Sequence, residues 1–92
     1  MKVMLEYSVL PGAAAECIEK FMSGGIPTPA GVTLLGRWHN VSGGTGYTLY
    51  ETDQPAQIYR SILGWADLVE FEVNVVLEDA EIGKVLMEEF KK

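Results

Sequence analysis

The spacing of apolar residues along this chain switches repeatedly between two periods, and the order of the switches constrains the fold more than any other feature. From Lys2 to Leu10, Val3, Leu5, Tyr7 and Val9 alternate with Met4, Glu6 and Ser8, the period of a strand. Pro11-Gly12 ends it. From Ala13 to Ser23 the apolar residues Ala14, Cys17, Ile18 and Phe21 fall on one helical stripe, and Gly24-Gly25 stops the helix. Ile26 to Gly31 holds Pro27 and Pro29 and reads as a connection. Val32 to Val41 and Tyr47 to Thr52 read as strands joined by a hairpin loop, Ser42-Gly43-Gly44-Thr45-Gly46. Asp53 is placed to cap a second helix with Pro55 in its first turn and Ile58, Ile62 and Leu63 inward, running past Gly64 toward Trp65 and Leu68. Glu70 to Leu77 is a fourth strand. Asp79 caps a last helix whose stripe, Ile82, Val85, Leu86 and Phe90, is expected to be buried, with Lys91 and Lys92 suiting its C-terminal dipole.

The result is β-α-β-β-α-β plus a C-terminal helix: one α+β domain over residues 1–92, of ferredoxin-like type, with a four-stranded antiparallel sheet. Right-handed crossovers put the first two helices on one face and leave the other open. Apolar residues make up 48% of the chain, a surplus that a domain this small commonly covers by pairing with a second copy. A homodimer that buries the open face is therefore expected. The net charge of −6 argues against nucleic acid and anionic membranes as partners. The single Cys17 is read as a buried, reduced thiol. No apolar run is long enough to span a bilayer, and Glu6 follows Met1 too closely for a signal peptide, so the cytoplasm is the expected compartment.

The densest chemistry lies in Gly36-Arg37-Trp38-His39. An Arg can hold a carboxylate bidentately, and a His can exchange protons near neutral pH. The pleat assigns Thr33, Leu35, Arg37 and His39 to the open face, with Leu34, Gly36 and Trp38 toward the helices; a one-residue bulge would swap the two sets. Thr48, Tyr50 and Glu72 join the open face on this reading. The competing structural account pairs Arg37 with Glu6 or Glu72 across the sheet and leaves His39 as a hydrogen-bonding strand end. A lone His makes no metal site, and neither a metal nor a cofactor is expected. The glycine-rich loop lacks the Gly-Lys-Ser/Thr ending of a phosphate loop and joins two strands.

Leu35-Gly36-Arg37-Trp38-His39, Glu51-Thr52-Asp53, Trp65-Ala66-Asp67-Leu68, Phe71 and Leu77-Glu78-Asp79-Ala80-Glu81 resemble the marks of a family of short uncharacterised bacterial proteins, a domain of unknown function, over essentially the whole chain. One departure is Asn74-Val75-Val76-Leu77, where a proline before Val-Leu would be expected. That family looks like a member of the dimeric α/β-barrel superfamily, which includes cofactor-free monooxygenases and isomerases. The resemblance implies two facing sheets and an enclosed cavity. Two readings follow. In one, the chain binds a small acidic or aromatic molecule and acts as a monooxygenase-like or isomerase-like enzyme. Arg37 anchors an acidic or enolate oxygen, His39 serves as acid or base, and Tyr7, Trp38, Tyr50 and Glu72 line the ligand. In the other, the same residues fill the interface of a non-catalytic binding or assembly domain.

Overall fold

The computed structural model describes residues 1–90. The elements are β1 (Lys2–Val9), α1 (Ala14–Gly24), β2 (Val32–His39), β3 (Thr45–Thr52), α2 (Pro55–Leu63), β4 (Val69–Val76) and α3 (Asp79–Phe90). The sheet runs β2-β3-β1-β4, with every neighbouring pair antiparallel. This is the ferredoxin-like α+β arrangement with one added helix. No helix among the described residues is long and apolar enough to cross a membrane. Lys91 and Lys92, expected to close the last helix, lie outside the described residues.

β1 and β4 keep the pleat that their alternation dictates. Val3, Leu5, Tyr7 and Val9 stand opposite Val75, Val73, Phe71 and Val69 and share the helix-covered face. The core on that face joins Val3, Leu5 and Tyr50 to Ile58 of α2, with a second cluster of Ala13, Trp65, Leu68 and Val69 beside it. Ile58 is only 2% exposed. Burial on that scale stabilises by about 1.5–3 kcal/mol for one side chain.

β2 departs from the expected pleat. Leu34 stands opposite Tyr50 while Gly36 stands opposite Leu49, so Leu35 is an extra residue and the ladder carries a bulge. Every residue after it changes face. Arg37 and His39 point to the helix side with Thr48 and Tyr50, and Trp38 points to the open side with Tyr47. The expected assignment is corrected at each of these positions, and Leu34 alone of its set stays toward the helices. Gly36 accommodates the change: a Cβ there would overlap the Trp38 indole, which lies along the strand over the glycine.

Four further expectations are corrected. The residue preceding α2 is Gln54 rather than Asp53, and Gln54 donates its backbone N–H to Thr52 Oγ1 at 2.9 Å. Trp65 and Leu68 are buried, but in the turn that follows α2. Asp79 is the first residue of α3, and the carbonyl of Glu78 before it accepts from Glu81 and Ile82. The stripe of α3 is not buried: Ile82, Val85, Leu86 and Phe90 are 43%, 49%, 49% and 81% exposed.

At the root of α3, Lys2 Nζ stands 2.8 Å from Glu78 Oε1. The hydrogen bond from Lys2, and then its charge, hold the Glu78 carboxyl below its ordinary value of 4.5. A depressed carboxylate adds stability above its unfolded pKa and loses it as pH falls through the folded value. In a carboxyl NMR titration Glu78 is expected to titrate below the usual glutamate range and to return toward it in Lys2→Met. An ordinary Glu78 midpoint in the unsubstituted chain would count against the pairing.

Candidate functional site

The helices do not close fully on the sheet. A cavity of about 340 Å³ lies between the β-sheet and the helices α1 and α2. Its floor is Leu5, Tyr7, Val9, Val69 and Phe71, and its roof is the α1 stripe, Ala14, Cys17, Ile18 and Phe21, with Ile62 and Trp65 beside it. Its volume falls in the range of small-molecule sites. α1 faces the sheet as its stripe requires, yet none of its residues is buried. Cys17 is half-buried on the cavity wall rather than sealed in a core.

At one end the apolar lining gives way to polar groups from three strands. Arg37 Nε donates to Thr48 Oγ1 at 3.3 Å, and Arg37 Nη2 donates to the Tyr50 hydroxyl at 3.2 Å. Both acceptors are neutral. No carboxylate pairs with Arg37 among the described residues, and Glu6 and Glu72, the partners considered from sequence, lie on the opposite face. A half-buried guanidinium without a counter-charge retains its affinity for an anion.

The Tyr7 hydroxyl and His39 Nδ1 are 2.7 Å apart, and the two rings meet edge to face with centroids 5.7 Å apart. Phe21 of α1 meets the same imidazole at 6.1 Å. Burial, then the neighbouring Cys17, raises the Tyr7 phenol above its usual value, while Arg37 acts the other way. Tyr7 is therefore protonated at neutral pH and can donate to an unprotonated Nδ1. Where Nδ1 instead carries the hydrogen, it donates to the phenol oxygen, and in either tautomer Nε2 has no protein partner among the described residues.

Tyr7 and His39 sit on strands that do not touch, because β3 runs between β1 and β2. The residue of β3 opposite both of them is Gly46. A Cβ on Gly46 would overlap the Tyr7 ring and stand 2.5 Å from the Trp38 carbonyl oxygen. The missing side chain is the gap through which the phenol crosses β3 to reach the imidazole.

A family model described as a domain of unknown function, DUF3303, matches residues 1–90. The chain belongs to the DUF3303 family. No curated protein matches it. Among solved structures, the crystal structure of an uncharacterized NIPSNAP domain protein from Burkholderia xenovorans is similar. It is 18% identical, has a TM-score of 0.48, and the match covers 86% of this chain and 97% of that one.

In this DUF3303 chain the structure brings Tyr7, Arg37, His39 and Tyr50 to one cavity. It does not bring Trp38 or Glu72 there. Trp38 is 54% exposed on the open face, and Glu72 borders a shallow depression with Glu6, Ser8 and Glu70 on that face. Sequence reasoning placed Gly46 in the hairpin loop and so missed its part in the site. The signal available was its position just inside β3, opposite an aromatic residue of β1.

Gly46→Ala is expected to keep the fold, lose the Tyr7–His39 hydrogen bond, and cost about 1–3 kcal/mol through overpacking. Denaturant unfolding measures the cost, and imidazole ¹⁵N shifts report the bond. Unchanged His39 nitrogen shifts in Gly46→Ala would show that the glycine does not gate the contact.

Proposed function

We propose that this chain is a small-molecule-binding protein of the dimeric α/β-barrel type, and that its ligand is an acidic, largely apolar or aromatic molecule held in the helix-side cavity. The observation that carries this reading is Arg37. Its guanidinium sits at the end of an apolar cavity with neutral partners alone, so a carboxylate or enolate oxygen from a ligand would supply the charge that the protein does not. The apolar body of the ligand would lie under α1 against Phe71 and Trp65. Tyr50 and Thr48 hold the guanidinium in place, and Tyr7 orients His39 beside it.

The same arrangement gives the enzymatic version of the reading its form. With Tyr7 on Nδ1, His39 presents Nε2 to the anchored oxygen: as base it would take a proton at Nε2 while Nδ1–H donates to the Tyr7 oxygen, and as acid it would return that proton, as an isomerisation or a cofactor-free oxygenation of an enolisable substrate requires. The alternative, a dimeric binding or assembly domain without catalysis, draws support from the exposed apolar surface of the open sheet face and of α3. In either case the chain would work as a homodimer in the cytoplasm, where Cys17 stays reduced.

The test uses 2-naphthoate as probe in a Trp38→Phe background, so that Trp65 in the cavity wall reports occupancy. Naphthoate is expected to quench Trp65 and to slow alkylation of Cys17, and 2-naphthamide to bind far more weakly. Arg37→Gln should weaken naphthoate about 10–100-fold, the range for losing one charge-assisted contact of about 1.5–3 kcal/mol. His39→Gln should change affinity little. Equal binding of acid and amide, or full affinity in Arg37→Gln, would refute the anionic-ligand reading.

A further inference from the structure

We infer that α3 is an exchanged arm whose apolar stripe packs on a second copy of this chain. The inference rests on the homodimer reading above and adds a contact that the open sheet face does not supply.

The first ground is shape. The Cα radius of gyration is 16.0 Å and the longest extent is 55 Å, whereas a compact chain of this length would have a radius of about 12 Å. α3 accounts for the difference. It follows β4 after Leu77 and Glu78 alone and has no buried residue. Its apolar residues are nevertheless arranged as an amphipathic stripe, a pattern that a helix facing water on all sides has no use for.

A second ground is the built exit of the arm. Lys2 lies in the open-face row of β1 and grips Glu78, and the Glu78 backbone N–H donates to Glu81 Oε1 at 3.3 Å. The arm thus leaves from the face that a second copy would cover. Folding α3 back on its own sheet would have to break this joint.

The third ground is area. On the open face Glu6 stands directly opposite Glu72, and Glu70 lies beside them. Burying these carboxylates against a symmetry copy would be costly, so the β1–β4 half suits contact with water. The β2–β3 half is apolar, with Leu35 46%, Trp38 54% and Tyr47 39% exposed. Half of a four-stranded face with eight-residue strands projects only roughly 250 Å². A stable interface needs about 800 Å² per partner. Under two-fold symmetry each arm both gives and receives a contact. A twelve-residue helix offers a strip roughly 18 Å by 10 Å on each side of that exchange. The arm adds apolar surface that brings the interface toward a stable size.

The experiment places the photo-cross-linker p-benzoylphenylalanine at Leu86 of the full chain and mixes tagged with untagged protein. Irradiation is expected to give tagged–untagged species at twice the chain mass. Independently, Ile82→Glu with Leu86→Glu should raise the dimer dissociation constant about 100-fold or more, while circular dichroism stays unchanged. Cross-links confined to single chains, with sedimentation still showing a dimer indifferent to the double substitution, would overturn the arm and leave the dimer reading standing. A monomeric unsubstituted chain at micromolar concentration would overturn both.

Discussion

The bulge at Leu35 is the constraint on which the arrangement of polar groups depends. A pleated strand assigns faces by parity, so one added residue exchanges the two rows beyond it. Because Leu35 is the added residue, Arg37 and His39 fall under α1 and α2 with Thr48 and Tyr50. Without the bulge the guanidinium would stand on the open face near Glu6 and Glu72 and would find its counter-charge inside the protein. With the bulge it is separated from Glu6 and Glu72 by the thickness of the sheet. The unsatisfied charge at the end of the cavity is thus a consequence of strand register, and the indole of Trp38 is delivered to the other face by the same slip.

Two glycines make that register usable. Gly36 gives the Trp38 ring room to lie along β2, and Gly46 gives the Tyr7 ring room to cross β3. Their backbone dihedrals are unremarkable, and what matters is the space a Cβ would take. Distant strands can then share a hydrogen bond at 2.7 Å across the strand between them. The site is assembled on sheet residues rather than on loops, which favours fixed geometry for its polar end.

Much of the fold was legible in the sequence because alternation in β1 and β4 is unambiguous: Val3, Leu5, Tyr7 and Val9 against Glu6 and Ser8 allow one facing. β2 was not legible in the same way. Leu34 and Leu35 are chemically identical neighbours, and either could occupy the inward position. β3 offered no correction, because Tyr47 and Leu49 compete evenly with Thr48 and Tyr50 for the apolar side. Arg37, His39 and Tyr50 were therefore named with Tyr7 as one group but were given the open face, and Trp38 and Glu72 were counted with them. For α3 the period revealed a stripe, while no pattern within a single chain states what covers it.

The contrast between the two helices over the cavity has a consequence for how the molecule breathes. α2 is anchored by Ile58 in the core, whereas α1 has no buried side chain. Lys20 helps hold α1 in place: its ammonium donates to the Gly64 carbonyl and lies 4.6 Å from the centre of the Trp65 ring. A helix held by half-exposed contacts opens at a lower free energy than the sheet beneath it. Amide hydrogens of α1 will exchange with solvent through local excursions that leave the β-ladder protected. The half-open cavity beneath α1 widens through such excursions, and its contents can turn over without the domain unfolding.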